Sequence, residues 1–214
     1  MRVIVVGASG RVGKATIEEL TKRGKAVVAY ARHIEQVETG EQVEAVSLDM
    51  TADLKGMTAA FRRAQADAII FTAGSRGADV IRVDALGAIK TIEAAKQAGI
   101  KRYVMLGALY AADLERWDEP EVQQVIEQLP DYYPAKYFAD DHLMHSGLDY
   151  TIVEPGTLVE RAGTGRVSTD PQGTGSIAIP DVAAMLAASL DQPSSVGRIY
   201  RIIEGDTPIG QALN

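Results

Sequence analysis

Apolar residues along this chain fall into two alternating rhythms. Short runs rich in β-branched residues read as buried strands: Arg2–Val6, Ala26–Ala31, Val43–Leu48, Asp67–Phe71, Arg102–Leu106 and Tyr150–Val153. Between them, apolar positions at three- and four-residue spacing predict helices over Arg11–Arg23, Thr51–Ala64 and Val80–Ala98. Gly24 and Gly99 follow two of these patterns as C-terminal stops, and Leu86, Ile89 and Ile92 mark the buried side of the longest helix. Further on, the pattern predicts a short helix over Glu121–Gln128 and a longer one over Ala135–His145, stopped by Gly147. A late helix, Asp181–Leu190, and a late strand, Gly197–Ile203, close the chain, and Gly156–Ser176 reads as glycine-rich and irregular.

Strands alternating with helices at this pitch imply a parallel sheet covered on both faces. Right-handed crossovers then favour the doubly wound order 3-2-1-4-5-6. No repeat or linker divides the chain, so residues 1–214 are expected to form one α/β domain with a small C-terminal lid region. The longest loop-like stretches, Ala108–Pro120 and Gly156–Ser176, follow the C-terminal ends of predicted strands, where such folds place their ligands.

Composition narrows the partners. Of 214 residues, 46% are hydrophobic, enough for a sizeable core, and the formal net charge of −7 disfavours a polyanion such as nucleic acid. The absence of cysteine excludes disulfides, thiol nucleophiles and cysteine-ligated metals. No apolar run has the length of a membrane span, and the chain starts on a strand rather than a charged, cleavable leader. A cytoplasmic protein, monomeric or homodimeric and away from membranes, is the expectation.

The chemistry starts at residues 1–14, MRVIVVGASGRVGK. A strand runs into Gly7, Gly10 and Gly13, and a helical pattern begins at once. Gly7 permits the tight turn, Gly10 lets an anion approach the backbone, and Gly13 shares a helix face with Ile17 and Leu20 and allows close packing on the sheet. The helix N-terminus offers free N–H groups to a pyrophosphate. An acid that would bind the ribose 2′-hydroxyl of NAD is missing at the end of the second strand, which reads Tyr30-Ala31-Arg32-His33. Arg32 stands nineteen residues past Gly13, placed to stack on adenine and pair with a 2′-phosphate, and Arg11 is a second candidate phosphate contact. NADP(H) is therefore favoured over NAD(H). Asp49 ends the third strand, where its carboxylate would accept the adenine amino group while Met50 covers the ring, or else would cap the following helix. Ala73 and Gly74 end the fourth strand and leave room for the cofactor ribose.

The stretches GASGRVGK, VDALGAIKTIEAAKQAGIKRYVML, YYPAKYFADDHLMHSGLDYTIVEPGTL and IPDVAAMLAASL resemble the atypical short-chain dehydrogenase/reductase group, close to its NmrA-like and biliverdin-reductase-B-like members. The likeness covers nearly the whole chain. It implies a Rossmann domain binding NADP through Gly7, Ser9, Gly10, Arg11, Val12, Arg32 and Asp49, with Pro155 and Gly156 lining the nicotinamide side. It places Asp84 on a helix near the cofactor, where the carboxylate interrupts an apolar face.

The same family pairs a Tyr with a Lys four residues on, the Lys lowering the Tyr pKa and bonding the nicotinamide ribose, and the Tyr protonating the acceptor. Tyr132 and Lys136 have that spacing, although Pro134 between them implies that the helix begins near Pro134 and leaves Tyr133 as an alternative acid. The family's third member, a hydroxyl after the fifth strand, is missing from Leu106-Gly107-Ala108-Leu109, and Tyr110 is the nearest substitute. Glu154 stands where relatives often carry Arg, a change that would alter the charge of the substrate side.

Other candidates carry less. His142 and His145 lie three residues apart on one helix with no partner cluster for a metal, Trp117 is a flap or a loop anchor, and Arg161 and Arg166 are substrate contacts or solvated. Three functions follow: an NADPH-dependent reductase of a small ketone, quinone or flavin-like acceptor; an NADP(H)-sensing protein that regulates a partner; and an epimerase. The last is disfavoured by the short segment after Glu154.

Overall fold

The computed structural model describes residues 1–214. Its centre is an eight-stranded sheet in the order β3-β2-β1-β4-β5-β6-β10-β8. The strands are β1 (Arg2–Val6), β2 (Ala26–Ala31), β3 (Val43–Ser47), β4 (Ala68–Phe71), β5 (Arg102–Leu106), β6 (Asp149–Pro155), β8 (Arg166–Thr169) and β10 (Arg198–Pro208). The first six pair in parallel in the predicted 3-2-1-4-5-6 order. β10 adds in parallel to β6, and β8 closes the edge antiparallel to β10.

The reason for continuous apolar strands is visible on both faces. Val3, Val5, Val27, Ala29, Ile70, Val104 and Val153 point to one side, beneath α1 (Arg11–Lys22) and α6 (Ile179–Ser189). Ile4, Val6, Val28, Ile69, Phe71, Met105 and Ile152 point to the other, beneath α2 (Leu54–Ala64), α3 (Leu86–Ala98) and α5 (Tyr132–Met144). A strand buried on both faces has no polar position to spare.

Two of the predicted stops are Schellman turns. At Gly99 (φ 79°) the N–H of Ile100 donates to Ala95 O and that of Gly99 to Lys96 O; at Gly24 (φ 69°) Lys25 and Gly24 donate to Leu20 and Thr21 in the same way.

Several expectations are corrected. Helix α2 starts at Leu54, because Asp53 caps it by accepting the Gly56 N–H at 2.6 Å. The Val80–Ala98 helix opens with a wider π-type stretch, Val80–Ala85, and Leu86 faces solvent rather than the core. Helix α5 starts at Tyr132, three residues before the predicted Ala135, because Pro134 fits its first turn. The Gly156–Ser176 stretch is not irregular: it holds β7 (Thr157–Val159) and β8, and β7 pairs in parallel with β9 (Ser176–Ala178). Asp181 orders this segment by accepting the N–H groups of Thr164 and Gly165 at 2.7–2.9 Å. The last strand runs on to Pro208 with a bulge between Ile203 and Thr207, where a Cβ on Gly205 would come within 2.4 Å of Ser168 N.

Candidate functional site

One cleft of about 950 Å³ opens at the C-terminal ends of β1, β4, β5 and β6, across the point where strand order reverses. Gly7, Ser9, Gly10, Arg11, Val12, Arg32, Asp49, Met50, Ala73, Gly74, Tyr132, Pro155 and Gly156 all line it.

Its deep end is made by the glycine turn. Gly7 adopts φ 87°, and a Cβ there would lie 2.5 Å from the Ala73 backbone; a Cβ on Gly13 would lie 2.3 Å from Gly7 O. These two glycines therefore let β1, β4 and α1 meet, as expected for Gly13 from its helix face. Gly10 precedes the first turn of α1, and the amides of Arg11 and Val12 have no partner in the protein. The first turn contains no acidic residue, so the positive end of the helix dipole is open to an anion. A Cβ on Gly10 would crowd Gly7 O at 3.2 Å. These features fit a pyrophosphate.

The adenosine end is built by Arg32, Asp49 and Met50. Arg32 is exposed, and its side chain reaches only the neighbouring His33 ring at 3.3 Å, leaving the guanidinium without a carboxylate partner. Asp49 does not cap α2; its Oδ1 accepts the N–H and the hydroxyl of Thr51 at 2.7 Å each. Those two bonds, with Arg32 contributing less, hold its carboxyl below the usual range. Met50 packs over Gly87 of α3, where a Cβ would be only 3.0 Å from its methyl carbon. Asp84 is 1% exposed in the π-type stretch and accepts the Ser75 N–H at 3.0 Å, which explains a carboxylate on an otherwise apolar face. The same carboxylate leaves Gly74 no room for a side chain, a Cβ there lying 3.0 Å from Asp84 Oδ1.

At the reacting end, Tyr132 stands on the wall as the first residue of α5, and its hydroxyl has no hydrogen-bond partner. Burial, with the nearby carboxylates of Asp84 and Asp140, raises the hydroxyl's pKa. Tyr133 is excluded as the free hydroxyl, because it donates to Leu109 O at 3.0 Å. Burial and the negative charge of Glu154 push it up to about 12. Lys136 does not reach the cleft wall: it is 3% exposed and donates from Nζ to Leu106 O at 2.5 Å. Tyr110 is likewise tied off. It is fully buried, and its hydroxyl shares its hydrogen-bonding capacity between Pro171 O (2.6 Å) and Gly173 O (2.9 Å), clamping the second loop to the first. Glu154 does not charge the substrate side. It is fully buried, accepts the N–H groups of Tyr110 (3.2 Å) and Ala112 (2.8 Å), and pairs with Arg201 at 3.3 Å.

Sequence reading missed an apolar wall and a hydroxyl. Val125 and Leu129, from α4 (Pro120–Gln128) and its end, join Ala108 and Leu109 along the reacting end. Val122, Val125 and Ile126, at three- and four-residue spacing in the short 121–128 helix, carried that signal. Ser75 also lines the cleft, and its Oγ is buried without a partner. It follows Ala73-Gly74 directly, after β4, whereas the hydroxyl of the family pattern would follow β5. Gly156 serves packing, a Cβ there falling 2.3 Å from Gly175 O. Trp117 anchors its loop, donating to Tyr110 O at 3.0 Å and stacking edge-on against Tyr133 and Tyr137. Arg161 pairs with Glu204 and Arg166 with Asp206 O, both away from the cleft. His142 bonds Glu93 at 2.9 Å and His145 its own helix, so the two rings do not converge.

A glycine cradle at the switch point of a doubly wound sheet defines a dinucleotide-binding protein. The chain belongs to the NAD(P)H-binding family, whose model matches residues 7–193. It is 39% identical to an uncharacterized sugar epimerase of Bacillus subtilis, YhfK, over all of this chain and 99% of that protein. Among solved structures, the oxidoreductase ylbE of Lactococcus lactis is 34% identical with a TM-score of 0.93, covering 100% of this chain and 95% of the other. ChuY, an anaerobillin reductase of Escherichia coli O157:H7, is 29% identical with a TM-score of 0.81 over 96% and 98% of the two chains. These findings bear out the likeness to atypical short-chain dehydrogenase/reductases. No helix is long and apolar enough to cross a membrane.

Proposed function

We propose that the protein is an NADP(H)-dependent reductase of a small, largely apolar acceptor such as a quinone, flavin or ketone. The observation that carries this reading is the unpartnered Tyr132 hydroxyl on the wall of the same cleft that begins at the glycine cradle. The bound dinucleotide would supply hydride chemistry. The free amides of Arg11 and Val12 would hold its pyrophosphate and Arg32 a 2′-phosphate, while the Arg11 guanidinium is paired with Glu160 at 3.1 Å. Val125, Leu129, Ala108 and Leu109 would exclude water from the acceptor, and Tyr132 would hold a proton at its heteroatom. The oxidoreductase and reductase among the similar structures support a redox role.

The test is NADPH consumption with a panel of quinones, flavins and ketones. Turnover that depends on Tyr132 is expected, and tight NADPH binding without turnover on any acceptor would overturn the reading. NADH binding as tightly as NADPH would overturn the cofactor preference.

A second reading is an NADP(H)-sensing protein that regulates a partner. It is favoured by one observation: the Lys136 ammonium is spent on Leu106 O, away from the cleft. Partner capture that is the same with and without NADPH would exclude it.

A further inference from the structure

Tyr132, Lys136 and Asp140 stand four residues apart on α5 and form one stripe along that helix. The stripe starts at the cleft wall with Tyr132 and ends fully buried at Asp140. Neither carboxylate oxygen of Asp140 has a hydrogen-bond partner. A buried polar group without a partner calls for a physical reason.

Gly107, on the cleft floor, shows what Asp140 faces. A Cβ at Gly107 would lie 3.4 Å from Asp140 Oδ2 and 2.9 Å from Glu154 Cγ. Two fully buried carboxyls thus meet behind the floor, in the space a side chain at position 107 would take. Their environments differ. Glu154 receives two backbone N–H groups and the Arg201 guanidinium, all of which favour its charged form. Asp140 has only the charge of Lys136, whose Nζ already donates to Leu106 O. Burial drives both carboxyls upward; the charge of Asp140 adds to the rise of Glu154, while that of Lys136 draws Asp140 back. Asp84 of the π-type stretch, Tyr133 of α5, Tyr110 and Asp113 after β5, Arg201 of β10 and Asp170 after β8 are the remaining charged or titratable groups around the cluster.

We propose that Asp140 and Glu154 share one proton and that the charge on Asp140 sets how readily Tyr132, eight residues back on the same helix stripe, gives up its own. Asp140 is a positioning residue, and its role rests on the reading of Tyr132 as the acid of a reductase. With Asp140 neutral, Tyr132 faces one negative charge fewer and ionises more readily. With Asp140 ionised, its negative charge holds the proton on Tyr132. The pair also explains the missing hydroxyl after β5: the carboxyls occupy the volume behind Gly107.

The experiment is read on the free protein. Infrared titration should show a carboxylic-acid C=O band that persists above about pH 6, where an ordinary carboxyl is ionised. Asp140→Asn and Glu154→Gln should each shift its loss to lower pH. Ultraviolet titration, with Tyr132→Phe as the reference that isolates Tyr132, should show Tyr132 ionising about one pH unit lower in Asp140→Asn, a tenfold change in proton affinity. A wild-type protein without the band, or a Tyr132 titration unmoved by Asp140→Asn, overturns the proposal. Neither readout uses turnover, so an inactive but titrating protein would strike the reductase reading alone.

Discussion

The two ends of the cleft are built by different means. The cradle end rests on backbone: a left-handed Gly7, a Gly13 where a Cβ would fall 2.3 Å from a carbonyl, and helix amides left without partners. Short sequence separations join most of its parts. The reacting end rests on side chains from α4, α5 and the loops after β5 and β6, whose hydroxyls and charges are mostly consumed by other protein groups. A backbone site follows from where glycine must stand, whereas a side-chain site depends on which partner each group finds. That is why the cradle matches its family pattern while Lys136, Tyr110 and Glu154 have all turned away from the cleft.

Replacing the Tyr132 hydroxyl puts the greatest strain on this contrast. Tyr132→Phe is expected to lower kcat by about 100-fold or more while leaving the NADPH dissociation constant nearly unchanged. An equal loss in both would make Tyr132 part of the binding surface. Lys136→Met comes next. Removing a buried ammonium leaves the Asp140 carboxyl without its charge partner, so denaturant unfolding should show a loss of about 3 kcal/mol. NADPH affinity of the folded variant should stay within about threefold of wild type, since Lys136 does not line the cleft. A large affinity loss would return it to the cofactor site.

Arg32→Ser probes the cradle end. It should weaken NADPH binding by about tenfold and NADH binding much less, because only the 2′-phosphate loses its cation. Equal losses would assign Arg32 to adenine stacking alone.

The smallest effect is on the pH dependence of stability. The raised carboxyls of Asp140 and Glu154 bind protons more tightly in the folded state than in the unfolded one. Their contribution is complete below the unfolded carboxyl range, about pH 4, and is lost as pH rises toward their folded values. Wild-type Tm should therefore fall between mildly acidic and mildly alkaline buffer, and Asp140→Asn should reduce that slope. A slope unchanged in the variant would mean that the proton resides elsewhere.

Sequence by itself determined the doubly wound order, the helix stops at Gly24 and Gly99, and the cradle from Gly7 to Gly13. All of these are written in local periodicity and in backbone freedom, which neighbouring residues decide. It also exposed the missing acid at Arg32, because absence of a carboxylate at a strand end needs no partner to be read. Only the tertiary structure decided that Tyr132, not Tyr133, keeps a free hydroxyl, since Leu109 O stands twenty-four residues from Tyr133. It alone revealed β7 and β8 inside a stretch too short and glycine-rich for a strand rhythm, and the contact of Asp140 with Glu154 behind Gly107. Buried side-chain chemistry is settled by residues distant along the chain, and their meeting is a property of packing rather than of pattern.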